Sequence, residues 1–452
     1  MMYPSRRFPS PRTLRRLLCA AIALAGLWLA GTSALAQNDP THLFPYDEEV
    51  VDYSNTVGKD PIAVLQKRID SGEVTLRYDE QFGYLPAMLQ ELKILGGSQM
   101  LVFSKTSLQR SRIGPTNPRA LFFNDSTYVG YIPGAPLMEL SGVDPRLGGI
   151  FYTLEQHPQS KPRFVRTDQC LECHASSKTL GVPGHIARSF ETTDDGEVDL
   201  FSGTSVVNDR TPFADRWGGW YVTGTHGDQR HKGNLIGKPA FARYEQGIST
   251  NGNLTTLTNF FDRRDFLQPG SDIVALMVFE HQAYLHNWIT RMHYESTQHL
   301  QMYQHIRYLR KLTDNFLRSL LFIDESPLTA TVAGTSDFTE KFQKLGPKDG
   351  KGRSLRQLNL QTRLMEHPCS FLIYSEAFDG LPAPLKAHIY TRLDEILSGR
   401  DTTGIFDKIA PETRRALKEI LQATKPDLAA AWKNPPPPLE PPPGIQKPSA
   451  KN

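Results

Sequence analysis

The sequence predicts an α+β fold, with a strand-rich region over residues 98–240 and a mainly helical C-terminal half. Two observations carry this prediction. Short apolar runs punctuated by Gly- and Pro-bearing turns fill the first region, whereas residues 271–326 contain neither Gly nor Pro. With about 400 residues after a leader, the chain is long enough for two or three hydrophobic cores.

The elements follow in order. Residues 37–97 form an N-terminal helical segment. Within it, Asp60-Pro61 reads as an N-cap followed by proline at the first helical position, opening a helix through Ile69. A second helical pattern covers Leu85 to Ile94. The texture then changes. Met100 to Phe103 reads as a strand, and Ala120–Phe123 and Tyr128–Tyr131 flank Asn124-Asp125-Ser126 as a hairpin. Leu137–Leu140, Ile150–Leu154 and Phe164–Arg166 continue the sheet, with further strand-like pieces at Val198–Phe201 and Ser205–Asn208. Trp217 to Gly227 packs two tryptophans and a tyrosine among four glycines, a glycine content that only tight packing can offset. The long-helix region, 241–330, holds one helix or two with a hidden break, and Asp272 is its expected N-cap. Lys344 to Arg353 reads as a surface loop. Helical patterns at Leu385–Leu397 and Glu412–Ala423 fill the C-terminal helical region, 331–433. The Pro-rich tail, 434–452, is polyproline-like over Pro435–Pro443 and packs no core.

Residues 1–36 have the pattern of a signal peptide: five basic residues from Arg6 to Arg16, an apolar run from Leu17 to Ala30, and Ala34-Leu35-Ala36 before Gln37. The apolar run is short for a membrane span, so the expectation is a cleaved leader and a periplasmic product with no transmembrane helix; a retained anchor is the alternative. Cys19 leaves with the leader. Losing those five arginines turns the net charge of +3 into about −2 with signs well mixed, which excludes a nucleic-acid surface.

Cys170-Leu171-Glu172-Cys173-His174 is the most informative stretch. Two cysteines three apart with a histidine directly after the second form the attachment signature of c-type haem. On one helical turn, positions i, i+3 and i+4 share a face, so both thiols and the imidazole can address one porphyrin edge. This implies a single covalent haem c held by Cys170 and Cys173, with His174 as proximal iron ligand. A structural zinc site would need further ligands, and neither a second CxxC nor a close histidine pair follows, His185 standing alone. A Cys170–Cys173 redox pair leaves His174 unexplained. Cys369, among apolar neighbours, reads as an inert core thiol. After the motif, Leu180-Gly181-Val182-Pro183-Gly184-His185 is a loop whose glycines allow backbone to approach a flat cofactor. For the distal ligand, His226 is the preferred candidate; His231 and His281 are others, with His286 and His293 behind them.

At residues 170–174 the sequence resembles c-type cytochromes. A strand-rich segment leading into the motif is distantly similar to the β-cytochromes. With GVPGH at 181–185 and WGGWYVTGTHG at 217–227, the chain is similar to a group of exported bacterial monohaem proteins. The resemblance implies electron transfer with a redox partner protein. The alternatives are a peroxidase- or oxygenase-like oxidoreductase with an open sixth iron position, or a haem-based sensor. A single CxxCH argues against the usual two-haem peroxidase plan.

Overall fold

Alternating apolar residues build a seven-stranded antiparallel sheet that divides the molecule into two cores. The structure is a computed structural model that describes residues 39–248, 252–435 and 439. The leader expected over 1–36, with Cys19, and most of the Pro-rich tail lie outside the described residues. Strands β1 (Met100–Val102), β2 (Arg119–Phe123), β3 (Thr127–Tyr131), β4 (Leu137–Asp144), β5 (Gly148–Glu155) and β6 (Phe164–Arg166) run as a meander. The predicted strands are all present here, β4 and β5 each extended to eight residues.

One face of the sheet packs on helices α1 (Pro61–Asp70) and α2 (Leu85–Glu91). Asp60 caps α1 by accepting the Ile62 N–H at 3.0 Å, with Pro61 opening the helix as its sequence position requires. Ile62, Leu65 and Ile69 then meet Ala120, Phe122, Val129 and Met138. The opposite face is only partly filled, and that incompleteness makes the site described below.

A single-turn helix α3 (Leu171–His174) carries the cysteine motif. Next, β7 (Arg188–Phe190) and β8 (Thr204–Val206) pair as a separate ribbon. The strand expected at 198–201 is instead a 3-10 turn over Leu200–Ser202, capped by Asp199. The Trp217–Gly227 stretch is not a hairpin. Its β9 (Trp220–Tyr221) joins the main sheet beside β1, whereas β10 (Gly224–Thr225) pairs with β11 (Ala333–Gly334).

After a short α4 (Lys238–Glu245) comes the pillar of the fold, α5 (Ile273–Tyr303). Asp272 caps it, accepting from the Val274 and Ala275 N–H groups at 2.8 and 3.0 Å. Gln304 ends it in a left-handed turn at φ 58°, and α6 (Arg310–Leu320) resumes the path: the hidden break. Every residue from Ile273 to Met292 is buried, so α5 has no solvent face over that length. It lies between the sheet and a helical layer of α7 (Phe338–Lys344), α8 (Glu376–Asp379), α9 (Ala383–Leu397), α10 (Pro411–Thr424) and α11 (Pro426–Lys433). No helix among the described residues is long and apolar enough to cross a membrane; α5 is long, but Glu280, Arg291 and Glu295 interrupt it.

The second core buries histidines that the fold holds neutral. Burial lowers His231 and His286 from the ordinary 6.5 to about 3. A base with a depressed folded pKa binds more protons unfolded, so stability is present above 6.5 and falls as pH drops toward the folded value. Each of the two should remove roughly 1.4 kcal/mol per pH unit below that point. Urea midpoints should therefore fall steeply from about pH 6.5 to about pH 5, and Phe at both positions should make the profile shallower, with the remaining slope coming from other buried histidines such as His293 and His388. A native profile level over that interval contradicts the assignment.

Candidate functional site

The cysteine motif is positioned by the strand before it and the loop after it. Strand β6 passes through a 3-10 turn at Asp168–Cys170 into α3, so Cys170, Cys173 and His174 fall on neighbouring turns of one short helical segment. All three line a single cavity of about 650 Å³, within the usual range for a cofactor pocket. The chain then reverses, bringing Gly184 back against the motif. The Gly184 N–H donates to the His174 carbonyl, and the Gly184 carbonyl accepts from His174 Nδ1, each at 2.8 Å. A carbonyl can only accept, so Nδ1 carries the proton and Nε2 keeps its lone pair. Burial lowers the His174 pKa to about 4 despite the Gly184 bond, which keeps the imidazole neutral. This is the tautomer and charge state an iron ligand requires.

The facing wall is the underfilled side of the sheet. Register places Leu121, Gly130, Glu139 and Thr153 in one cross-strand row, and Tyr128, Ser141 and Phe151 in the next. Alternation aims both rows at the cavity, and all seven residues line it. Gly130 stands mid-strand with no side chain, deepening the floor where a larger residue would fill it; a Cβ there would already lie 3.3 Å from Leu121. Phe279 of α5 and Trp220 of β9 close the inner end. At the mouth, Leu108 and Leu200 line the cavity yet are 51 % and 76 % exposed, apolar surface of the kind a bound flat ring covers.

His185 also lines this cavity, a role the sequence did not single out. Its Nε2 meets Ser141 Oγ at 2.7 Å, and its ring stacks against Tyr128 with centroids 4.1 Å apart. Its backbone is clamped by α5: Asn287 Oδ1 accepts the His185 N–H at 2.8 Å, and Asn287 Nδ2 donates to the His185 carbonyl at 2.7 Å. The Gly-Pro loop returns to the motif through Gly184; its partner Asn287, a hundred residues away on a helix, had no local signal.

The other candidate histidines do not come to the cavity. The Nε2 of His226 accepts the Asn253 N–H at 2.9 Å, its ring packs on Phe213 and His231, and it is not among the residues lining the cavity. The cause is the split of the aromatic stretch between two sheets, which carries Trp220 to the cavity and His226 past it. His231 sits beside His226, with Nδ1 accepting the Gly233 N–H. His281 bridges Asp209, 3.0 Å from Nδ1, and Ser370 Oγ, 2.9 Å from Nε2. All three are sealed in the core, and Ser370 also caps Leu372, so this Ser–His–Asp chain is structural. His286 is engaged through Nδ1 with Tyr128, and His293 is not among the lining residues.

Two thiols and a neutral imidazole on one cavity fit the donor set of a covalently held haem. Burial pushes the Cys170 thiol up to about 12, with Glu139 adding to the shift, so by itself it is a protonated, weakly nucleophilic thiol. Among the described residues no group of three His, Cys, Asp or Glu side chains is placed to hold a metal ion. Cys170 and Cys173 are both free thiols, and Cys369 is buried in the second core as expected. No family model matches this chain, and no curated protein or solved structure does either.

Proposed function

We propose that the cavity is the seat of one haem c, joined by thioethers to Cys170 and Cys173 and ligated by His174 Nε2, in an exported periplasmic redox protein. The observation that supports this most strongly is the convergence of both sulfurs and a correctly tautomerised imidazole on one apolar-walled cavity. When bound, the haem supplies one-electron chemistry; the chain orients His174 through the Gly184 carbonyl and shields the ring with Phe151, Phe279 and Trp220. A redox partner protein delivers or removes the electron.

The lining offers His185, Tyr128 and Lys105 as side chains from which a sixth iron ligand could come. His185 Nε2 is held by Ser141, Tyr128 Oη by Gln282 and His286, and Lys105 Nζ by Asp195 and Glu197. Tyr128 and Lys105 would have to abandon a partner to reach iron, whereas His185 keeps a buried Nδ1 with no hydrogen-bond partner. Electron transfer is therefore the first reading, with an oxidoreductase or sensor of open sixth iron position as the alternative. The test has two stages. Pyridine haemochrome spectra of the natively matured protein should show haem c that acid-acetone does not extract; colourless or extractable protein ends the proposal. Carbon monoxide should then leave the Soret band of the reduced protein unmoved, as a saturated electron carrier requires, and a rapid shift moves the assignment to the oxidoreductase or sensor reading.

A further inference from the structure

We propose that Arg188 is an anion seat inside this cavity, built to receive a carboxylate-class anion: a haem propionate, or a small carboxylate entering from solution. The observation is a half-buried cation in the cavity: Arg188 lines the wall and pairs with no carboxylate among the described residues. Its guanidinium lies over the Phe190 ring with the carbon 4.7 Å from the centroid. Of the other cations of the wall, Arg110 is exposed to solvent, and Arg119 and Lys105 are compensated. Arg119 meets Glu139 at 2.8 Å, and Lys105 meets Asp195 at 2.8 Å. Arg188 is thus the wall's unmatched guanidinium at depth, and burial depresses its pKa, the signature of a charge that lacks stabilisation.

The backbone is fixed where such a role requires it. Arg188 lies in β7, paired to Val206, and its carbonyl accepts Trp220 Nε1–H at 2.8 Å. The fork therefore projects from a rigid strand rather than a loop. A planar guanidinium binds carboxylate by two parallel hydrogen bonds, and the low-dielectric surroundings strengthen the pair. Leaving an arginine here unpaired costs folding free energy, so its occupant is expected to bind well. The propionate alternative rests on the haem reading; the solution-anion alternative does not.

The experiment compares the native holoprotein with Arg188→Gln and Arg188→Lys. Haemochrome content of the native protein is measured first, which separates failure of the haem reading from failure of this one. The reduction potential is then followed from about pH 5 to about pH 8, and formate is titrated calorimetrically into each protein. With a propionate on Arg188, the native potential is level across that range. Arg188→Gln then makes the potential fall with rising pH, because the freed carboxyl, buried without its cation, takes a raised pKa and ionises within the window; Arg188→Lys restores the level profile. With a solution anion, Arg188→Gln instead weakens formate binding by about tenfold or more, and Arg188→Lys retains most of it. Potential profiles and formate affinities unchanged in Arg188→Gln overturn the proposal.

Discussion

Gly184→Ala is expected to lower the unfolding free energy by about 2–5 kcal/mol and to disturb the His174 imidazole at the same time. A Cβ at Gly184 would lie 2.1 Å from Asn287 Oδ1 and 2.8 Å from its Cγ. The amide cannot simply swing aside, because both its ends hold the His185 backbone. Displacing it leaves a buried N–H and a buried carbonyl unpaired, each costing about 1–3 kcal/mol. The same shift moves the Gly184 carbonyl that fixes His174 Nδ1. Asn287→Ala removes the clamp without the clash and should cost a similar amount. Because both single changes destroy one interaction, the double variant should be far less destabilised than their sum. Urea unfolding of the four proteins decides it: additive losses, or Gly184→Ala within about 0.5 kcal/mol of native, would falsify the clamp.

What the sequence made legible was local. Period-two runs such as Ala120–Phe123 and Tyr128–Tyr131 marked the sheet, Asp60 and Asp272 marked two helix starts, and CxxCH marked the cavity wall. The failures were all matters of what long-range packing brings together. His226 was attractive because aromatic and glycine residues surround it, yet that texture serves two sheets and leaves the histidine in a pocket with Phe213 and His231. On α5 His281, Leu285, Trp288 and Met292 share one side by helical spacing, but a helix buried on every side gives no face to read. Burial there was decided by the helical layer beyond it. Asn287 and Arg188 were invisible for the same reason: one acts on a loop a hundred residues upstream, and the other matters because nothing pairs with it.

Arg216→Met is the second large effect, and it tests how the cavity's inner wall is anchored. Arg216 and Glu280 are 2 % and 1 % exposed and form an ion pair beneath Trp220 and Phe279. Arg216 also donates to the Thr211 carbonyl at 2.8 Å and the Asp209 carbonyl at 3.1 Å, while Trp217 Nε1 donates to Glu280 at 3.1 Å. Pairing two buried charges contributes little net stability, because desolvation offsets the attraction. Removing one partner is different. Glu280 would keep only Trp217, and a loss of about 3–5 kcal/mol is expected. Burial is the largest influence on the Glu280 carboxyl and raises its pKa, while Arg216 is the foremost group holding it down. Without Arg216 the raised folded pKa makes the acid form the stable one, so the deficit should shrink as pH falls and grow as pH rises. Arg216→Met combined with Glu280→Leu removes both charges and should recover much of the loss, since paired apolar replacement is often neutral. Denaturant midpoints of native, single and double variants at two pH values give the answer. A double variant as unstable as Arg216→Met alone would mean that the carbonyls of Thr211 and Asp209, not the orphaned carboxylate, carry the cost, and that the arginine acts chiefly as a loop tie.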